Sequence, residues 1–191
     1  MSLRPALGVL AALTMSLIAG SALAQEQAAF GSSGSPLPEQ PYTLIYPTVM
    51  VPGGEAGGPV VINHPDLPLQ CVLAVIPVDD TTWTADGALA ALDAATVAEG
   101  WDETLPGFVL GASQLTNYQS GVALQYEGAS AGTDETAPVT LVHTETVAAG
   151  NGYTLDCFYP SDAVAQARPI VDSIIANFST VQDAQPVVPV P

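Results

Sequence analysis

The spacing of apolar residues changes along this chain, and each change marks an element. YTLIYPTVMV (residues 42–51) is an extended, β-branched run ending at the turn-rich PGGEAGGP and followed by PVVINHP, which predicts a hairpin across a glycine loop. QCVLAVIPV (70–78) is apolar at nearly every position, the pattern of a strand buried on both faces. The period then lengthens. Thr84 supplies an N-cap, Asp86 falls in the first turn, and Ala85, Ala88, Leu89, Leu92, Ala95 and Ala98 recur at intervals of three and four until Gly100, which predicts one amphipathic helix with a small-residue face. WDETLPGF (101–108) reads as a connecting loop. Alternation returns in GASQLTNY and VALQYEGAS around the turn QSG, and in VTLVHTETVA and YTLDCFY around AGNG, which predicts two further hairpins. From Ser161 onward, Ala167, Ile170, Val171, Ile174 and Phe178 form the stripe of a second helix. Pro169 falls inside that stripe, so the helix either kinks there or starts at it after a short turn.

The ends differ in composition from this middle. Residues 1–24 carry Arg4, an apolar run from Pro5 to Ala19 and the small-residue pattern Ala22-Leu23-Ala24, the signature of a secretory signal peptide cleaved after Ala24. The apolar run is shorter than the ~20 residues that a bilayer span needs. Residues 25–41 are rich in Gln, Gly, Ser and Pro without a period and read as a flexible leader; residues 181–191 read as a disordered, Pro-rich tail. The folded part is therefore residues 42–180, one domain large enough to bury a core.

The order of the elements carries a resemblance. Strands, a helix, LPGF, hairpins holding a Gly-x-x-x-x-Tyr element (GVALQY), then a Gly-Tyr strand (GYTLDCFY) and a terminal helix ending IIANF follow one another from Tyr42 to Phe178. This arrangement resembles the PsbP-like fold, found in the extrinsic PsbP protein of photosystem II and in periplasmic proteins of the DcrB type. The resemblance implies an α/β (α+β) architecture, an antiparallel sheet with helices packed on it as an α/β/α sandwich. It implies little about activity, because members of the fold family include assembly and binding factors alongside many proteins without an assigned function. The chain lacks the basic surface residues of photosynthetic PsbP, which argues against a photosystem role.

Charge narrows the partners. The chain has two basic residues, Arg4 and Arg168, against nineteen carboxylates, for a formal net charge of −17. Loss of residues 1–24 leaves Arg168 alone. Nucleic acid and anionic lipid both need several cations to displace counterions, so this composition excludes them as expected partners, and no membrane insertion is expected after signal cleavage. A basic envelope protein is the partner that the charge favours, and a solvated acidic surface is the plainer reading. The expected location is the periplasm or outside the cell.

Cys71 and Cys157 are the two cysteines, an even count in a chain read as exported, so a disulfide between them is the simplest expectation. Both lie in strand-like stretches, so the bond would join neighbouring strands or strands sharing a face. Asp156 beside Cys157 disfavours a reactive thiolate. Free thiols and metal or redox chemistry are the alternatives, and zinc would require His64 and His143 to converge on the pair.

Other candidate chemistry is thinner. GASQL lacks the second glycine of a nucleophile elbow and places Ser113 in a strand, so a hydrolase built on Ser113 and His143 is the second reading. Glu127 with Asp156 is the paired-carboxylate version of that reading. His64 reads as a turn residue, and His143, sharing a face with Leu141 and Glu145, as a surface or edge histidine. Asp79, Asp80 and Asp86, and separately Asp134 and Glu135, are the weak candidates for a calcium-binding module, without the spacing of a known calcium loop. Arg168 is expected to pair with Asp172 four residues on, or else to anchor an acidic ligand. Trp101, Phe108, Tyr118 and Tyr126 are read as one aromatic sheet face. No cofactor is expected, and the leading reading is a soluble, non-catalytic envelope protein acting through protein contacts or weak ligand binding.

Overall fold

The computed structural model describes residues 30–55, 58–79, 82–133 and 136–187. The signal peptide, the first residues of the leader, Asp80, Asp134, Glu135 and residues 188–191 lie outside them.

The hairpin patterns assemble into one antiparallel sheet. In chain order its strands are β3 (Val51–Gly53), β4 (Val60–Asn63), β5 (Gln70–Pro77), β6 (Val109–Tyr118), β7 (Gly121–Ser130), β8 (Val139–Ala148) and β9 (Asn151–Pro160), arranged in space as β3-β4-β5-β9-β8-β7-β6. Two-residue turns close β6–β7 and β8–β9. The second turn uses Ala149 and Gly150, both at positive φ (50° and 77°), the geometry that matches strand twist in a tight hairpin. The long connection from β5 to β6 carries α1 (Ala85–Ala91) and α2 (Ala94–Trp101), and α3 (Val164–Asn177) closes the chain after a 3-10 turn at Ser161–Ala163.

Alternation along the strands divides the core in two. Tyr153, Leu155, Cys157 and Tyr159 of β9 point to a first face, where they cluster with Ala167, Val171, Ile174 and Ile175 of α3 and with Phe178. Leu124 and Tyr126 of β7 and Leu141 of β8 point to the second face, where Leu89 and Leu92 of the α1 segment and Val97, Ala98 and Trp101 of α2 pack against them. The sheet is thus the middle layer of an α/β/α sandwich. Gly128 lets the Phe108 ring lie directly on β7, since a Cβ there would collide with it.

Four features depart from the pattern reading. The predicted leader contains a strand, β1 (Phe30–Gly34), which pairs antiparallel with β2 (Thr43–Pro47) as a separate ribbon on the α3 side. FGSSG has no apolar alternation to betray it; Gly31 is needed because the Tyr46 ring lies where a Cβ would stand. The run 42–51 is not one strand, because a turn in which the Met50 N–H donates to the Pro47 carbonyl separates β2 from β3. The single helix expected over 84–100 is two. Thr84 caps α1 as read, but Asp93 accepts the Thr96 N–H and hydroxyl at 2.8 Å each, starting a new helix. Finally, the predicted tail is tied down as far as Val187, whose N–H donates to Asn177 Oδ1 at 2.8 Å; of the two readings of the second helix, α3 follows the one that keeps Pro169 in its interior.

Candidate functional site

The register of the sheet places side chains in cross-strand rows on the second face. One row reads Ser113, Tyr126, His143, Asp156, Val72 and Val61 across β6, β7, β8, β9, β5 and β4. The next holds Leu115, Leu124, Glu145, Thr154 and Ala74. His143 therefore sits in a central strand and is 6% exposed, which corrects its reading as a surface or edge residue.

Its ring is held on every side. Nδ1 lies 2.5 Å from Asp156 Oδ1, Nε2 lies 3.6 Å from Glu145 Oε2, and the ring stacks on Tyr126 at a centroid distance of 4.3 Å. The Trp101 indole N–H donates to the Tyr126 hydroxyl at 2.8 Å, so the cluster is tied to the end of α2. Burial alone would drive the imidazole neutral. The hydrogen bonds and charges of Asp156 and Glu145 override it and raise the pKa to about 9, so His143 is an imidazolium at neutral pH. Burial pushes the Tyr126 phenol up to about 12 despite its hydrogen bond from Trp101.

This arrangement brings Ser113, His143 and Asp156 into one row without making a triad. Tyr126 stands between Ser113 and His143, two strand spacings of about 4.8 Å each separate their backbones, and both ring nitrogens already face carboxylates. Glu127 is no partner for Asp156: Glu127 faces the α3 side, opposite Val142, so the sheet lies between the two carboxyl groups. Tyr118 likewise belongs to the first face, donating to Thr144 Oγ1 at 2.6 Å, whereas Trp101, Phe108 and Tyr126 share the second.

On the first face, Arg168 binds two carboxylates. Its Nε donates to Asp172 Oδ1 at 2.6 Å and its Nη1 to Glu127 Oε1 at 2.5 Å. The buried Tyr159 hydroxyl lies beside this trio: burial pushes its pKa up, with the Arg168 guanidinium opposing and Glu127 and Asp172 adding to the rise. The disulfide joins Cys71 and Cys157, directly opposed on β5 and β9 with Cα atoms 4.1 Å apart, and both cysteines are fully buried. His64 makes a turn, its Nδ1 accepting from the N–H groups of Asp66 and Leu67. Asp79 and Asp86 are exposed, and among the described residues no group of three His, Cys, Asp or Glu side chains is arranged to hold a metal ion.

Beyond the polar cluster, the second face is open. Ile76 is 59% exposed, Val122 47% and Leu115 38%, and with Val147 they occupy the two rows nearest the β6–β7 and β8–β9 turns. Helices α1 and α2 lie over β6 and β7, while on the same side Val61 of β4 and Val72 and Ala74 of β5 are half-buried and Ile76 is exposed. A groove of about 590 Å³ runs between the β1–β2 connection and the β3–β4 loop along the end of β5, lined by Ser, Gly and Pro residues with Tyr42, Glu55, Val75 and Ile76. No helix among the described residues is long and apolar enough to cross a membrane.

No family model and no curated protein matches the sequence. Solved structures do. The cyanobacterial PsbP (CyanoP) of Synechocystis sp. PCC 6803 superposes with a TM-score of 0.55 at 17% identity, over 84% of this chain and 98% of that one. The fold is PsbP-like. The Ran-binding protein Mog1p of Saccharomyces cerevisiae shares this PsbP-like fold with a TM-score of 0.54 at 8% identity, over 81% and 97% of the two chains. A Bacteroides thetaiotaomicron protein matches with a TM-score of 0.52 at 10% identity over 82% of this chain, which spans half of that protein's length.

Proposed function

We propose that this chain is an exported, non-catalytic protein-contact module whose contact surface is the open part of the second sheet face, and whose partner is a basic protein of the cell envelope. The observation that carries the reading is the exposure of Ile76, Val122 and Leu115 on adjoining rows of one rigid sheet, where apolar side chains in solvent mark an interaction surface. The candidate reactive groups are meanwhile engaged inside the molecule: Cys71 with Cys157, His143 with two carboxylates, Arg168 with two more. The disulfide and the signal-like residues 1–24 suit an oxidising compartment. Mog1p, described as Ran-binding, illustrates that this fold supports protein recognition. The excess of carboxylates favours a cationic partner.

Photo-crosslinking residues at Val122, Ile76, Val164 and Val187 in the chain's own cell test this reading. Discrete protein adducts from the first two positions, and none from the other two exposed valines, are expected. Equal labelling from all four, or chain recovered inside the cell with residues 1–24 still attached, rejects it.

A further inference from the structure

The two edges of the sheet differ in how they meet solvent. β3 is three residues long and contains Pro52, which has no N–H to offer another strand. β6 is ten residues long, holds neither proline nor charge, and is exposed along most of its length. Natural edges are usually guarded by charge, proline or irregularity. β6 has one such guard, a bulge between Leu110 and Ser113 that takes up Gly111 and Ala112. From 113 to 118 the edge is regular.

The β6–β7 turn fixes which backbone groups face out. Gln119 and Ser120 form a two-residue loop closed by Tyr118 and Gly121. Tyr118, Thr116 and Gln114 therefore exchange hydrogen bonds with β7, while Asn117, Leu115 and Ser113 present N–H and C=O away from the sheet. The same count from the β8–β9 turn makes Cys157 hydrogen-bonded to Val142 and leaves Cys157–Cys71 a non-bonded pair, in agreement with their 4.1 Å Cα separation. Among the described residues no other strand pairs with the outer side of β6.

Charge selects what such an edge would take. Arg168 is the single Lys or Arg among the described residues and is occupied by Glu127 and Asp172. At the start of β6, Glu99, Asp102 and Glu103 line a depression of about 550 Å³ with Ala98 and Phe108. A second copy of the chain would bring the same negative charge to this edge, whereas a strand carrying Lys or Arg meets carboxylates that have no cation of their own. We propose that residues 113–118 of β6 accept a cationic, extended segment of a partner protein as an additional strand of the sheet. The backbone of 113–118 supplies the hydrogen bonds, and where the added segment extends past the bulge toward Val109 the acidic rim at α2 supplies the preference for basic side chains. This rests on the protein-contact reading above and gives that contact an edge and a chemistry.

The test uses the full exported chain and a capped peptide of alternating lysine and valine as long as β6. An alternating glutamate–valine peptide and a helical peptide of equal positive charge serve as controls. Amide exchange at Ser113, Leu115 and Asn117 is expected to slow about tenfold or more with the lysine–valine peptide and to stay unchanged with either control. Leu115→Pro removes an outward N–H and no bond to β7, and Leu115→Lys adds a repelling charge; each is expected to weaken peptide binding about tenfold. Should Leu115→Pro unfold, Leu115→Lys carries the comparison. Unchanged exchange at the three amides, slow exchange there before any peptide is added, equal protection by the helical peptide, or retained affinity in the variants overturns the proposal. Crosslinks from Val122 and Ile76 with unprotected β6 amides reject the added strand and keep the contact surface; protected amides without those crosslinks do the reverse.

Discussion

On the first face of the sheet, α3 buries Ala167, Val171, Ser173, Ile174, Ile175 and Asn177 against strand residues such as Leu155 and Cys157 that have lost all contact with solvent. On the second face α1 fully buries only Ala85, α2 buries no residue completely, and several large apolar side chains of the sheet stay in water. Both helix layers come from amphipathic sequence, yet one is sealed and the other stops halfway. The contrast teaches where this domain keeps its stability and where it can change its surface without losing the fold: burial is concentrated around α3, the β1–β2 ribbon and the disulfide.

Removing the disulfide tests that contrast most severely. Cys71→Ala with Cys157→Ala releases an 86-residue loop in the unfolded chain and is expected to cost about 4 kcal/mol in denaturant unfolding, nearly all of a small domain's margin in some cases. An unchanged midpoint would break the comparison. Ile174→Ala, on the sealed side, should cost about 3 kcal/mol, whereas Val97→Ala in the half-covered layer should cost about 1 kcal/mol or less. Equal losses would mean the two layers contribute alike.

The imidazolium of His143 is the exception on the second face, a buried charge where the cover is thin. Its pKa is raised from 6.5 to about 9, so the folded state holds the proton more tightly than the unfolded chain. The stabilisation is complete below about pH 6.5 and is lost as pH rises through about 9, a change on the order of 3 kcal/mol. Melting curves between pH 6 and pH 10 should fall in that window, and His143→Gln should flatten this part of the profile. Arg168→Gln is expected to cost about 1 kcal/mol, since its partners are partly solvated, with Asp172 53% exposed. Val122→Thr and Ile76→Thr should each shift stability by no more than about 0.5 kcal/mol, while Val122→Thr abolishes the crosslink from position 76 and Ile76→Thr the crosslink from position 122.

Much of this was legible before any coordinates. The hairpins around QSG and AGNG, the cap at Thr84, the pairing of Arg168 with Asp172 and the two cysteines in facing strands follow from local rules that act within a few residues or from a count of two. Other features depend on distant chain. β1 exists through its pairing with β2, and nothing in FGSSG asks for a strand. Asp93 restarts a helix that Ala95 and Ala98 would have continued, because a capping carboxylate outweighs periodicity at that point.

The His143 cluster was partly within reach. Once Ala149 and Gly150 are taken as a two-residue turn, counting outward pairs Ala148 with Asn151 and arrives at His143 opposite Asp156. What counting cannot supply is the central position of β8, which comes from β5 inserting beside β9, and with it the burial that makes the charge costly. Glu127 as a second partner for Arg168 has no local signal either, since 41 residues separate them.

The covalent tie between β5 and β9 has one more consequence. The segment it encloses contains both helices of the thin layer and the strands β6, β7 and β8, together with the connections from β5 to α1 and from β7 to β8. A protease cutting in either connection leaves two fragments that still travel as one molecule, and they part on a gel only after reduction. The covalent tie thus keeps the two halves of a nicked chain together, whichever of these connections is cut.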